Sequence, residues 1–101
     1  MAAAGYVIVE MKVSDPERYK EYMTAAPPTI AAMGGEYLVR GGKSETLEGG
    51  WNPVRMAVLK FPSYEVAKAW YEGEGYRQAR ARRAGATEFF NMILVEGVPS
   101  T

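Results

Sequence analysis

Residues 6 to 13, YVIVEMKV, alternate in character: Val7, Val9, Met11 and Val13 form one apolar face, and Tyr6, Ile8, Glu10 and Lys12 a mixed one. A period of two with one dry face predicts a strand whose other side is open. The period then changes. Tyr19, Tyr22, Met23, Ala26, Ile30 and Met33 recur at spacings of three and four, which predicts an amphipathic helix. Ser14 and Glu17 stand at capping-box spacing, and Asp15-Pro16 gives a cap followed by proline at a tolerated first-turn position. Pro27-Pro28 should kink or split this helix, since each proline removes a backbone donor and crowds the preceding turn. Gly34-Gly35 ends it.

Two further strands are predicted over 36–42 and 54–61, joined by a glycine-rich loop. Ser63 then caps a helix that places Val66, Ala67, Trp70 and Tyr71 on one face and breaks at Gly73 and Gly75. A short helix over 76–84 runs to Gly85, and FFNMILVE at 89–96 is the last strand. The order strand, helix, strand, strand, helix, strand predicts an α+β class, a ferredoxin-like split β-α-β sandwich. Its helices cover one face of a four-stranded antiparallel sheet. With no repeat or linker, residues 1–101 are expected to form a single domain.

The hairpin register decides where Arg40 points. Pairing Glu36 with Lys60, Leu38 with Val58 and Arg40 with Met56 puts Tyr37, Val39, Ala57, Leu59 and Phe61 under the helices. A slip by one would bury Lys60 there. Arg40 then joins Tyr6, Ile8, Glu10, Leu38, Met56 and Val58 on the open face. The aliphatic centre of that face is a patch that needs a cover, and a second copy of the sheet supplies it. The expected assembly is a homodimer closed as a dimeric α/β barrel. Within it, Arg40 is either paired with an internal carboxylate or anchors a ligand. Glu36, four residues away along the strand, lies about 13 Å off, too far for an ion pair. Glu10, Glu45 and Glu48 remain as partners.

Composition removes several function classes. Twelve basic and twelve acidic residues cancel, without the net basic footprint of nucleic-acid or membrane-surface binders. The arginines at 77, 80, 82 and 83 lie near a helix end, where cations complement the dipole. No cysteine and no histidine occur. The usual zinc, iron and haem ligands are therefore missing, as is the commonest general base near neutral pH. Neither a metal nor another cofactor is expected. MAAAGYVIV is too short to cross a bilayer and lacks a basic leader, so a cytoplasmic protein is expected.

VRGG at 39–42, LEGGWNPVR at 47–55, KFPSYEVAKAWYEGEGYR at 60–77 and VEGV at 95–98 together resemble the domain-of-unknown-function family 1330, over essentially the whole chain. The resemblance implies a ferredoxin-like subunit of the dimeric α/β-barrel superfamily, and no established reaction. The family's usual acidic residue before Phe-Pro-Ser is Lys60 here. Family-like positions are Arg40, Gly41, Gly42, Glu48, Trp51, Pro53, Arg55, Trp70 and Tyr76. Gly41 and Gly42 permit a bulge or tight backbone path, or else close ligand approach, and they fit no phosphate loop. Trp51, in a loop, is costly unless it contacts a partner or covers a pocket. Trp70 is placed in the core or at a site, and Tyr76 either packs or turns its hydroxyl into a pocket.

The ligand-binding candidates are thus Arg40, Glu10, Glu48, Trp51, Trp70 and Tyr76. The expected function is a small-molecule-binding or enzymatic subunit for an anionic or carbonyl-bearing metabolite. The alternative is a non-catalytic metabolite-binding or structural dimer. Catalysis without histidine would fall to Glu10 or Glu48 as base, a tyrosine hydroxyl as donor and Arg40 as oxyanion partner.

Overall fold

A computed structural model describes residues 3–99 of the chain. The elements are β1 (Gly5–Val13), α1 (Pro16–Ala32), β2 (Glu36–Arg40), β3 (Arg55–Phe61), α2 (Tyr64–Glu72), α3 (Glu74–Ala81) and β4 (Thr87–Glu96). They build one antiparallel sheet in the order β2-β3-β1-β4, the ferredoxin-like arrangement, with the helices on one face.

The dry face of β1 is the predicted one. Val7, Val9 and Met11 are buried and sit opposite Leu59, Ala57 and Arg55 of β3 and Leu94, Met92 and Phe90 of β4. Against them pack Tyr19, Tyr22, Ala26 and Ile30 of α1, and Ala67, Trp70, Tyr76 and Ala79 of α2 and α3. Burying a large apolar side chain contributes roughly 1.5–3 kcal/mol, so this layer supplies most of the cohesion. Ser63 caps α2 by accepting from the Val66 amide at 3.1 Å. Asp15 caps α1 by accepting from the Arg18 amide at 3.1 Å, so the cap is Asp15 with Pro16 following, and not Ser14.

Several expectations need correction. α1 runs unbroken through Pro27 and Pro28. Proline at 27 leaves the carbonyl four residues earlier, that of Met23, without its helical partner. The Arg40 guanidinium supplies one, with Nη2 donating to the Met23 oxygen at 3.1 Å. The Tyr22, Ala26 and Ile30 face stays seated on the core across the same turn. α3 begins at Glu74, and Gly75 lies inside it. Only Gly73, extended at φ −77° and ψ 161°, separates it from α2. Strand β4 starts two residues earlier than expected, and β2 ends two residues earlier.

The main correction concerns register. Glu36 pairs with Lys60 and Tyr37 with Leu59, as expected, but Val39 then pairs with Val58 and Arg40 with Ala57. Leu38 is an extra residue in a β-bulge, and a bulge reverses side-chain parity beyond it. Val39 therefore moves to the open face. Arg40 leaves that face and points toward α1. The open face keeps Tyr6, Ile8, Glu10, Met56 and Val58, and gains Val39, Ile93 and Val95, of which Ile93 is 57% exposed.

Candidate functional site

Period-two alternation along β3 puts Arg55 on the same side as Ala57, Leu59 and Phe61, and the bulge in β2 sends Arg40 to that side too. Both guanidiniums thereby reach the seam between the sheet and α1. A cavity of about 30 Å³ lies there, lined by aliphatic and aromatic groups including Val9, Met11, Met23, Ile30, Leu59 and Phe90. Its polar lining comes from Arg40, Arg55, Tyr19, Tyr22 and Tyr37. That volume accommodates a water or a small head group. No carboxylate lines the cavity, and among the described residues neither arginine forms an ion pair.

Each arginine is held differently. Arg40 lies 4.6 Å from the Tyr37 ring centre and spends one N–H on the Met23 carbonyl. Gly41, at φ +72°, adopts a backbone conformation that a side chain would strain, and its amide donates to the Met56 carbonyl at 2.8 Å. A Cβ built on Gly41 would meet Arg55 Nε at 2.9 Å, so the Arg55 guanidinium rests on the bare glycine. Arg55 also lies 5.9 Å from the Tyr19 ring centre.

The phenols respond to this setting. Burial pushes the Tyr19 hydroxyl above its ordinary pKa, and Arg55 and then Arg83 pull part of the way back. Tyr37 is likewise raised by burial and partly relieved by Arg40. Tyr22 is raised furthest, by burial first and then by Tyr76, whose hydroxyl shares a 2.7 Å hydrogen bond with it. These tyrosines are neutral donors or acceptors at ordinary pH, not bases.

Of the six ligand-binding candidates from sequence, only Arg40 lines this cavity, and of the other family-like positions Gly41 and Arg55 line it too. Glu10 stands on the opposite side of the sheet, between Met56 and Asn91. Glu48 and Trp51 lie on the exposed loop between β2 and β3, and Trp51 is 60% exposed. Trp70 is buried against Phe61 and Tyr76, with centroids at 5.0 and 4.2 Å, and its indole N–H donates to Thr29 Oγ1 at 3.0 Å. Tyr76 is fully buried and turns its hydroxyl to Tyr22. The carboxylate partner expected for Arg40, Glu10 or Glu48, is replaced by the Met23 carbonyl.

Sequence reasoning named Arg55 as a family-like position without making it a ligand-binding candidate, and passed over Tyr19, Tyr22 and Tyr37 as site residues. For Arg55 the signal was present: it shares parity with Ala57, Leu59 and Phe61, so an arginine belonged on the dry side of β3. The arginines in and after α3 have neighbours within the chain, although the buried Arg83 Nε has no hydrogen-bond partner among the described residues. Arg77 pairs with Glu74, Arg82 with Glu21, and Arg83 lies 3.6 Å from the Phe90 ring centre. No helix among the described residues is long and apolar enough to cross a membrane.

Solved structures share this architecture. A protein of unknown function from Rhodopseudomonas palustris superposes with a TM-score of 0.72 at 17% identity, covering 99% of this chain and 86% of that one. A dimeric ferredoxin-like protein of unknown function from Thermobifida fusca gives 0.64 at 16% identity, covering 95% and 92%. A candidate antibiotic biosynthesis monooxygenase from Caulobacter crescentus gives 0.61 at 15% identity, covering 97% and 92%. At these identities the likeness establishes the fold alone. No curated protein matches the chain significantly. The model of one family, described as a domain of unknown function (DUF1330), matches residues 4–98, and the chain belongs to that family.

Proposed function

We propose that the chain is a small-molecule-binding or enzymatic subunit that holds an anionic or carbonyl-bearing ligand between its sheet and α1, and that it works as a homodimer. One observation carries the ligand reading: Arg40 and Arg55 enter the same apolar cavity with no carboxylate to neutralise either. A half-buried cation such as Arg55, with no ion-pair partner beside apolar walls, is costly, and an anion that accepts its N–H groups lowers that cost. The tyrosine hydroxyls add neutral donors for a carbonyl or enolate oxygen.

The homodimer rests on the open face. Ile8, Val39, Val58, Ile93 and Val95 are aliphatic side chains of that face, partly or largely exposed, and the fold neighbour from Thermobifida fusca is itself described as dimeric. Pairing two such faces removes the patch from water. The monooxygenase neighbour offers a reaction class by analogy of fold only. Glu10 and Glu48 stand outside the cavity, so neither supports a carboxylate base there.

A second reading is favoured by the Arg40–Met23 hydrogen bond, which gives Arg40 a structural task inside its own chain. On that reading the protein is a structural or non-catalytic dimer. A thermal-shift screen of small carboxylates and ketones separates the two when parent and Ala57→Leu protein are compared. The added side chain fills the cavity whichever arginine matters. Protection of the parent and not of the variant supports the ligand site. Equal protection of both, or of neither, rejects it.

A further inference from the structure

We infer that Arg55, seated on Gly41, is the principal anion-holding residue of this cavity, and that its ligand is a small monocarboxylate with a short apolar body. The inference rests on the cavity reading above and names its ligand class. The two arginines are unequal. Arg40 is exposed and already serves the Met23 carbonyl and the Tyr37 ring. Arg55 is half-buried, and among the described residues its guanidinium has no hydrogen-bond or salt-bridge partner. A planar fork held under apolar walls with its donors free is matched by a planar carboxylate.

Gly41 makes that seat. A Cβ there would stand 2.9–3.2 Å from three atoms of the Arg55 guanidinium, so a side chain at 41 would push the fork from its present seat. The neighbouring Gly42 has nothing within 4 Å and no such duty. The ligand class follows from the remaining walls. Apart from the arginines and phenols they are apolar, and Met11, Met23 and Met92 are adaptable enough to admit a body larger than the present 30 Å³. A phosphate dianion has no apolar part to set against these walls and would bring a second charge among them, whereas a carboxylate uses one fork and leaves its apolar part to the methionines.

Calorimetric titration of the full chain with butyrate, benzoate and inorganic phosphate tests this. The parent should bind a carboxylate more tightly than phosphate. Arg55→Leu should lose about tenfold to a hundredfold in carboxylate affinity, the worth of a charge-assisted pair. Its unliganded melting temperature should fall little, because the side chain gives up no hydrogen bond or ion pair and only the distant Tyr19 ring contact at 5.9 Å. Gly41→Ala should weaken binding by about tenfold and Gly42→Ala should not change it. If Arg55→Leu binds like the parent while Arg40→Lys does not, the inference is wrong and the cavity reading stands. Tighter binding of phosphate overturns the ligand class. A parent that binds neither carboxylate overturns both readings.

Discussion

Replacing Arg40 by methionine keeps most of the side-chain bulk and removes the guanidinium that serves the carbonyl left open by Pro27. A hydrogen bond to a charged donor is worth about 1.5–3 kcal/mol where water is excluded. Arg40 is exposed, so solvent screening and water at the Met23 carbonyl reduce this to about 1 kcal/mol. Loss of the contact with the Tyr37 ring at 4.6 Å adds about 0.5–1 kcal/mol. The variant should therefore be less stable by about 1.5–2 kcal/mol, read as a lower urea midpoint at unchanged slope and fixed protein concentration.

A double-mutant cycle isolates the cause. Pro27→Ala restores an N–H at 27, and the Met23 carbonyl regains its own helical partner. In that background Arg40→Met should cost only the ring contact, about 0.5–1 kcal/mol. The ring of Pro28 disfavours the helical conformation at 27 in both arms, so it cancels. The expected coupling is about 1 kcal/mol, above the 0.3–0.5 kcal/mol within which independent sites add. Additivity within that limit would refute the reasoning: Arg40 would not be completing the helix at the proline gap.

Three further outcomes are expected. The parent should sediment at twice the 11.1 kDa chain mass, and Ile93→Lys on the open face should return it to the chain mass with its far-ultraviolet dichroism intact; a variant that stays dimeric would move the interface elsewhere. Tyr22→Phe leaves the buried Tyr76 hydroxyl without its 2.7 Å partner and should cost about 1–3 kcal/mol in urea unfolding, with the Tyr22→Phe/Tyr76→Phe pair costing less than the sum of the singles. Tyr19, Tyr22 and Tyr37 are all raised by burial above the ordinary 10.0, so the unfolded chain releases those protons first. Their contribution is intact below pH 10 and is lost as pH rises beyond it. Urea midpoints should fall on that side, less steeply for Tyr22→Phe, and equal slopes would contradict the assignment.

The fold was readable because its layers follow local periods. Alternation in β1 and the caps at Asp15 and Ser63 each point to the same sheet and helices, so small errors at strand ends do not change the topology. The face of Arg40 was not readable. Period-two reasoning holds only while the ladder is regular, and one extra residue, Leu38, reverses everything after it. Nothing in EYLVR marks Leu38 as the extra residue, since Leu38 and Val39 are both tolerable on either face.

The proline pair misled in a related way. Taken alone, Pro27 is a helix breaker, and an arginine beside Leu38 and Val39 is an anomaly in a strand. The structure joins the two: the bulge turns Arg40 to α1, and Arg40 meets the carbonyl that Pro27 leaves open. Such a pairing spans 17 residues and depends on how a helix sits on a strand, so no local pattern could announce it. Arg55 is the contrasting case, because β3 is regular from Arg55 to Phe61 and its parity alone sends that arginine under the helices. A charge on the dry side of a regular strand is thus the dependable sequence signal for this site. A charge beyond an unseen bulge is not.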